Sequence, residues 1–474
     1  MDNSTIAAIA TPSGRGGIGI IKVSGAEAIS IAAAIFRHRN RRLPAASKTS
    51  AMHSGPGDIA FQSHRLYYGY IVDPADESLL DEVLLSVMKA PQTYTCENLV
   101  EINSHGGPVV LQSILALVLK RGARLAEPGE FTQRAFLNGR IDLTQAEAVI
   151  DIVNARTEKS LQIATAHAGG RLRKRVESIQ QPLVRMLTRA EAGIDFPEDV
   201  EDLIDQTAVG EIREKVVDPL EKLIRDYLDS HVLRDGLKVA VVGKPNVGKS
   251  SLMNRLVEKD RAIVTSIPGT TRDVIEETLN IRGVPLVLSD TAGFHETDDP
   301  VESIGVEKTI ANANGSDLIL FLTDANTPLS DEDYQLYDRI KGKPLIIVLN
   351  KIDLVCGKPA ACVPERWTGY PGIRISALYG QGIDSLKDKI IETTRGDYPI
   401  DLNETIVPNL RQKIALDKSL AAAKGAIAEL KNGASTELVA INLKEAIDSL
   451  GEVIGTNVKL DILDKVFSQF CIGK

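Results

Sequence analysis

The sequence predicts a multidomain protein in which an α+β domain precedes an all-α domain, and an α/β domain is inserted into the all-α one. Short strand-like runs between glycines fill residues 1–119, and helical patterns fill residues 120–234 and return at 396–474. Between them, strand-like runs alternate with helical stretches over residues 235–395. Because helical patterns of the same kind lie on both sides of that segment, we interpret it as an insertion.

The composition excludes several classes of protein. Of the 474 residues, 43% are hydrophobic and 25% are charged, which is the balance of a folded globular chain. The formal net charge of −9 argues against wrapping nucleic acid by bulk electrostatics, although it leaves room for a local basic patch. Aromatic residues make up 4%, so a large platform for stacking single-stranded bases is not expected.

The cysteines and the N-terminal residues favour a cytoplasmic protein without membrane contact. The four cysteines form no CxxC pair and are too few for a disulfide scaffold. The first residues have neither the basic segment nor the apolar stretch of a signal peptide. The longest apolar runs are too short to span a bilayer.

The helical segments carry local signals of their own. Thr144 and Glu147 have the spacing of a capping box, which predicts a helix from there to about His167. A second helix is expected over about residues 174–192. Pro219 lies inside the apolar pattern of a third, which predicts a kink or break there.

The inserted segment is predicted to be a parallel sheet with helices on both faces, because strands and helices alternate along it. The strand-like runs are Leu237–Val242, Val284–Ser289, Leu318–Leu322, Leu345–Leu349 and Ile373–Ile375.

Residues Gly243–Ser250 read GKPNVGKS and fit the phosphate-binding pattern GxxxxGK[ST] directly after a strand and before a helix. In such a loop, backbone N–H groups and the helix N-terminus surround the phosphates. Lys249 is expected to reach the β- and γ-phosphates, and the Ser250 hydroxyl to bind Mg²⁺. The predicted contacts here are Asn246, Val247, Gly248, Lys249, Ser250 and Ser251.

Two loops have the pattern of nucleotide-sensing switches. Thr271 is the expected second Mg²⁺ ligand, Asp290 is expected to hold the metal through water, and the N–H of Gly293 can sense the γ-phosphate. The predicted nucleotide contacts in these loops are Gly269, Thr270, Thr271, Asp290, Thr291, Ala292 and Gly293.

Two base-recognition motifs, at residues 350–353 and 376–377, complete the ordered set of nucleotide-binding motifs. The Asp353 carboxylate can accept two hydrogen bonds from guanine N1 and N2, a pattern that adenine cannot donate. A backbone N–H at Ser376–Ala377 can reach guanine O6. The predicted base contacts are Asn350, Lys351, Asp353, Ser376 and Ala377. Together the five motifs predict a GTPase.

The usual water-orienting glutamine is missing, because Phe294 follows Gly293. An apolar side chain cannot orient the attacking water, so another group must do so. Asn246 is a candidate ligand for a monovalent cation near the phosphates, and a simple turn residue is the alternative.

The chain resembles the MnmE (TrmE) family of tRNA-modification GTPases over its whole length. The resemblance lies in TIAAIATPSGRGGIGIIKVSG at residues 5–25, in Tyr94–Asn98, in Ser104–Gly107, in residues 127–153 and in the terminal Phe470–Lys474.

This resemblance implies a folate-binding N-terminal domain that dimerises, a helical domain and a Ras-like P-loop GTPase domain. It implies a potassium-activated homodimer that works with the FAD protein MnmG on the wobble uridine of certain tRNAs. Aminomethyl or carboxymethylaminomethyl groups would be installed at C5, with the carbon from 5-formyl- or methylene-tetrahydrofolate.

The resemblance also implies roles for particular residues. Glu302 would orient the attacking water as the catalytic carboxylate. Potassium would contact Asn246, Thr265, Ile267 and Thr270, and GTP would contact Thr265, Ser266, Ile267 and Pro268. Folate would contact Lys22, Glu97, Arg140 and Lys474. The family often has Arg at the position of Lys22 and Lys at that of Arg140, so charge is kept but planar geometry changes. Without the resemblance, Lys22, Glu97 and Arg140 would be interpreted as surface charges, and Glu302 as an ordinary loop residue.

Three alternatives remain open at the level of sequence. A ribosome-assembly GTPase would share the nucleotide motifs but would need an RNA-binding module. A non-catalytic, GTP-gated scaffold would only position MnmG. A self-sufficient folate enzyme would use GTP for regulation alone.

Overall fold

The computed structural model describes residues 4–39, 60–195, 206–260, 277–288, 313–355, 363–364, 367–394 and 406–474. The described chain divides into two compact units. The first holds the residues up to Ile150 together with Ile454–Lys474, and the second holds those from Asp151 to Val453. None of the helices in the described part of the chain has the length and apolarity needed to cross a bilayer.

The described strands form two sheets, one in each unit. The strands are β1 (Ile6–Ile9), β2 (Gly16–Ser24), β3 (Phe36–His38), β4 (Arg65–Val72), β5 (Leu79–Met88), β6 (Leu99–Gly106), β7 (Arg124–Leu125), β8 (Leu237–Val242), β9 (Glu277–Ile281), β10 (Val284–Leu288), β11 (Leu318–Asp324), β12 (Leu345–Asn350) and β13 (Gly372–Arg374).

The described helices, in chain order, are α1 (Ala28–Ile35), α2 (Pro108–Lys120), α3 (Glu130–Leu137), α4 (Leu143–Asn154), α5 (Glu158–Ala168), α6 (Arg171–Asp195), α7 (Gln206–Ile212), α8 (Asp218–Asp235), α9 (Lys249–Asp260), α10 (Asp331–Ile340), α11 (Ile383–Thr394), α12 (Leu410–Lys431), α13 (Thr436–Ile454) and α14 (Leu460–Phe467).

The first unit is built on a sheet of order β3-β4-β5-β6-β2-β1-β7. Its pairings are antiparallel except that of β1 with β7. Alternate residues of β5, namely Val83, Leu85 and Val87, are buried, as a strand with one covered face requires. They belong to the same core as the buried faces of α1 and α2. The expected α+β domain is therefore confirmed.

The sheet extends past residue 119, where we placed the end of the N-terminal domain. Helix α2 ends at Lys120, and β7 pairs with β1 beyond it. A strand of two residues is too short to produce a periodic pattern, so the sequence did not reveal it. The boundaries at residues 234/235 and 395/396 remain predictions.

The N-terminal cap of α4 differs from the predicted box of Thr144 and Glu147. Asp142 Oδ1 accepts from the backbone N–H groups of Thr144 at 2.7 Å and Gln145 at 3.1 Å, and the Asp142 N–H donates to Gln145 Oε1 at 3.1 Å. The predicted capping box was wrong. Asp142 and Gln145 have the same i, i+3 spacing as Thr144 and Glu147, and they cap the helix two residues earlier in the chain.

The helix expected to run to His167 is broken into α4 and α5. Thr157 begins α5 with a capping box in which its side chain accepts from Ser160 N at 3.1 Å and its N–H donates to Ser160 Oγ at 3.0 Å. The kink or break predicted near Pro219 is replaced by a wider turn within a continuous helical segment: residues Arg213–Val217 form a π-helical turn, in which the Asp218 N–H donates to the Arg213 carbonyl. A proline ring clashes with the carbonyl four residues earlier, and a wider turn relieves that clash.

The second unit contains a sheet of order β13-β12-β11-β8-β10-β9. Five of its strands are parallel, as predicted, and β9 runs antiparallel to β10 at the edge. The interior strands β11 and β12 are almost fully buried, which suits a parallel sheet covered on both faces. The sequence prediction missed β9. Parallel strands direct their carboxyl ends to one edge, and the nucleotide motifs follow β8, β12 and β13 there.

Candidate functional site

The loop after β8 is packed too tightly for side chains at two of its glycines. A Cβ at Gly243 would lie 2.4 Å from the Leu322 carbonyl oxygen, and one at Gly248 would lie 2.2 Å from Asn350 Nδ2. Gly248 also has a φ of +98°, a conformation that favours glycine. The loop therefore requires glycine at both positions, because it lies against the Leu322 carbonyl of β11 and against the Asn350 side chain at the end of β12.

Lys249 begins α9 with its ammonium turned back over the loop. Its Nζ donates to the carbonyl oxygens of Gly243 and Lys244, both at 2.8 Å. Ser250 and Ser251 follow in the first turn of α9, and both are exposed. A cation, a helix N-terminus and exposed hydroxyls thus converge at one place, which is an arrangement suited to phosphate and Mg²⁺.

A buried amide joins the two ends of the candidate nucleotide site. Asn350, at the end of β12, is 2% exposed. Its Nδ2 donates to the Val247 carbonyl at 2.8 Å, and its Oδ1 accepts from the Ala377 N–H at 2.9 Å. The phosphate loop and the loop after β13 are therefore held by the same side chain.

The predicted base contacts lie together. The Ser376 hydroxyl donates to Asp353 Oδ1 at 2.5 Å. Lys351 has a φ of +66°, and its Nζ lies 2.8 Å from Asp324 Oδ2 at the end of β11. The predicted contacts in the two switch loops, Thr265 to Thr271 and Asp290 to Gly293, lie outside the described residues, as does Glu302.

Arg255 was missed by the sequence analysis. From α9 its Nε donates to the Ala377 carbonyl at 3.2 Å, and an Nη donates to the Leu378 carbonyl. It braces the loop after β13 from the helix that starts at Lys249. An arginine seven residues into a helix carries no sequence signal of such a role.

In the first unit, two of the predicted folate contacts gather around Tyr94. Lys22 Nζ lies 5.8 Å from the centre of the Tyr94 ring, and the guanidinium carbon of Arg140 lies 4.7 Å from it. Arg140 Nη1 also donates to the Tyr94 carbonyl at 3.2 Å. Both distances are within the range of a cation–π interaction. Tyr94 itself was not among the predicted contacts, although it opens the motif that carries Glu97.

The tail lies near the same cations. Burial lowers the pKa of the Lys474 ammonium, nearby Cys471 raises it and the charge of Lys22 lowers it, and the net result is a pKa below its ordinary value. A Cβ at Gly473 would lie 2.6 Å from the Ile9 carbonyl oxygen, so the tail backbone packs directly on the end of β1. Lys22, Arg140 and Lys474 therefore form one region of positive charge.

Glu97 belongs to a neighbouring buried network. Both of its carboxylate oxygens accept from Arg134 Nη1 at 3.1 Å, and Oε2 also accepts from Ser24 Oγ at 2.8 Å. Arg134 in turn contacts Glu130 at 2.9 Å. Burial, the largest influence, raises the pKa of Glu130, but hydrogen bonds from Arg124, from the Glu127 N–H and from Arg134 outweigh it and hold the pKa below its ordinary value. Arg134, which orients Glu97, carries no signal of this role in the sequence.

Two family models match the chain, the GTP-binding protein TrmE N-terminus over residues 5–140 and the MnmE helical domain over residues 143–471. Proteins named tRNA modification GTPase MnmE are similar along their full length. That of Desulfotalea psychrophila is 43% identical over 100% of this chain and 99% of its own, and that of Moorella thermoacetica is 44% identical over 100% of both. That of Geotalea uraniireducens is 45% identical over 99% of both.

This chain belongs to the MnmE family. The resemblance seen in the sequence is confirmed, and with it the prediction of a GTP hydrolase. Membership of this GTPase family implies GTP and Mg²⁺ as ligands. Among solved structures, an Era variant of Aquifex aeolicus is 29% identical over 39% of this chain and 66% of that one, with a TM-score of 0.26.

We expect Asp353→Asn to exchange guanine specificity for xanthine specificity. The new amide can still accept from the Ser376 hydroxyl, so the loop is preserved, but it places a donor opposite a guanine donor. GTP binding should weaken by about 2–5 kcal/mol, the cost of a buried mismatch at a charged partner, and xanthosine triphosphate should bind instead. Titration with both nucleotides measures this, with Asp338→Asn at an exposed position of α10 as control. Unchanged GTP affinity would show that Asp353 does not contact the base.

Proposed function

We propose that this MnmE-family chain is a potassium-activated GTPase that works with the FAD protein MnmG in tRNA modification. A folate one-carbon unit would be used to install aminomethyl or carboxymethylaminomethyl groups at C5 of the wobble uridine, in the cytoplasm, where tRNA is used. The observation that carries the proposal is the match to tRNA-modification GTPases over the whole chain.

Cells lacking this gene should lose the modified wobble uridine and accumulate the unmodified base in the affected tRNAs. Nucleoside analysis of purified tRNA measures this, and the wild-type gene on a plasmid should restore the modification. A normal nucleoside profile in the deletion strain would overturn the proposed function.

The geometry of the phosphate loop supports the binding of GTP with Mg²⁺. The Lys249 ammonium is held by two carbonyl groups at the mouth of the loop, where it would neutralise charge on the β- and γ-phosphates. The exposed Ser250 hydroxyl suits a hard cation, and Thr271 is the proposed second ligand. Mg²⁺ would supply further charge neutralisation when bound.

Asn246 supports the potassium proposal. It is exposed and has a φ of +60°, a conformation that asparagine adopts more readily than most residues. Its side chain would bind potassium with the backbone or side chains of Thr265, Ile267 and Thr270. The cation would then take the place of an arginine finger, which contributes roughly 10³–10⁵-fold in rate. Glu302 would orient the attacking water.

Replacing potassium by sodium should slow GTP turnover strongly, because sodium is too small to span the proposed ligands. Asn246→Ala should remove most of the potassium response and leave nucleotide binding intact. Glu302→Ala should keep potassium-dependent association of the GTPase domains and still block hydrolysis. Phosphate release at saturating GTP and Mg²⁺ measures each effect.

Equal rates in sodium and potassium would refute the role of the cation. Normal turnover by Glu302→Ala would refute the water-orienting role separately.

The positive region around Tyr94 supports folate binding. Folates carry carboxylates at one end, and Lys22, Arg140 and Lys474 would pair with such groups. Glu97 keeps acceptor capacity beyond its bonds to Arg134 and Ser24, because a carboxylate has about four lone-pair sites. It would accept from the N–H groups of the pterin ring.

Folate affinity should fall as the pH rises through the lowered pKa of Lys474. The charged ammonium binds a carboxylate and is fully present below that pKa, so the contribution is lost above it. Lys474→Met should weaken binding by about 1.5–3 kcal/mol, the range for a hydrogen bond to a charged group, and should remove this part of the pH dependence. Calorimetric titration with 5-formyl-tetrahydrofolate from neutral to alkaline pH measures both.

Removal of residues 471–474 should abolish tRNA modification and spare GTP hydrolysis. The same pH profile in Lys474→Met as in the wild type would exclude Lys474 from the site.

An exposed apolar face supports the proposed homodimer. Leu66 and Tyr68 on β4, Leu84 on β5 and Ile18 on β2 are 38–67% exposed. Tyr68 lies opposite Leu84 in the strand pairing, so part of the face is continuous. A second copy of the chain is the proposed occupant, since grouped apolar side chains of this kind mark association surfaces.

A further inference from the structure

We propose that Lys244 is a positioning residue for the phosphate-loop lysine, acting through an ion pair with Asp333. Lys244 Nζ lies 2.7 Å from Asp333 Oδ2 and donates to Ser330 Oγ at 2.8 Å. The backbone carbonyl of the same Lys244 accepts from Lys249 Nζ at 2.8 Å. One residue therefore anchors its side chain to α10 and holds Lys249 by its main chain.

The ion pair is anchored at a buried carboxylate. The side chain of Asp333 is 2% exposed and that of Lys244 is 21% exposed. Asp333 also caps α10, since its Oδ2 accepts from the Ser330 N–H at 2.8 Å. Helix α10 packs on the sheet through the buried side chains of Tyr337 and Ile340. An ion pair fixed at one end in this way loses little flexibility when it forms, and removing Lys244 leaves the buried charge of Asp333 uncompensated.

The Lys244–Asp333 pair orders the phosphate loop before nucleotide binds. Two carbonyl groups direct the Lys249 ammonium, and the first of them, that of Gly243, is fixed by close packing against Leu322. The second, that of Lys244, precedes Pro245 and the exposed Asn246, so its position depends on the Lys244 side chain. Without the anchor, nucleotide would have to order this carbonyl on binding, and that cost would appear as lost affinity.

The charge of Lys244 does not act on the phosphates directly in this scheme, because Asp333 neutralises it. An arginine can keep the pair, whereas a methionine keeps the stem and loses it. The inference rests on the phosphate role proposed above for Lys249, so the test includes Lys249→Met as a reference.

The experiment measures the Kd of fluorescently labelled GDP and the KM and kcat of GTP hydrolysis with the full-length chain at saturating Mg²⁺ and K⁺. Lys244→Met should raise the Kd and KM roughly 10-fold, within the range of coupling between residues in contact, and should leave kcat within about threefold of wild type. Lys244→Arg should restore most of the affinity. Lys341→Met, which removes an exposed pair with Asp338 on the same helix, should leave affinity unchanged.

Asp333→Asn gives a second test that keeps the cap of α10, because an amide oxygen can still accept from the Ser330 N–H. It should weaken GDP binding as Lys244→Met does, with the thermal unfolding midpoint close to wild type. The double variant should be no weaker than either single variant, since both remove one interaction.

Two results would overturn the inference, provided that Lys249→Met loses nucleotide binding. One is wild-type affinity in Asp333→Asn, and the other is a fully additive loss of affinity in the double variant. Wild-type affinity in Lys249→Met would instead overturn the phosphate role on which the inference rests.

Discussion

The nucleotide site depends on one buried amide. Asn350 donates to the Val247 carbonyl and accepts from the Ala377 N–H, which joins a loop 103 residues earlier to one 27 residues later. Each of these backbone groups would be left without its partner if the side chain were lost, and an unmade buried hydrogen bond costs more than a made one contributes. The distance between the phosphate end and the base end of the site is therefore set by this side chain.

The parallel sheet makes that bridge possible. Strands β8, β12 and β13 are in one sheet with β11 between the first two, so their following loops leave the same edge. Crowding at Gly243 and Gly248 holds the phosphate loop against β11 and Asn350. Arg255 then connects α9 to the loop after β13. These contacts hold the loops of the described part of the site to one another.

The positive region of the first unit has a different origin. Lys22 comes from β2, Tyr94 from the segment before β6, Arg140 from the loop between α3 and α4, and Lys474 from the tail. The tail reaches this place because α14 and Phe470 pack with α4 in an apolar cluster. Burial of Lys474, together with the charge of Lys22, lowers the pKa of its ammonium, and an anionic ligand would reverse that effect.

The sequence by itself determined the features that depend on local geometry. Short windows encode the glycines, lysine and serine of Gly243–Ser250, the five parallel strands and the helix irregularity before Pro219, because backbone conformation and side-chain periodicity act over a few residues. The order of the nucleotide motifs also sufficed to predict a GTPase.

Only the tertiary structure decided which distant groups meet. The pairing of Lys244 with Asp333, the bracing of the loop after β13 by Arg255 and the orientation of Glu97 by Arg134 join residues that are separated in sequence. Charged and polar side chains carry no periodic signal of their partners, and an exposed charge and a buried one look alike in a sequence. Their partners are chosen by packing, since a charge enters the interior only where the fold supplies a counter-charge.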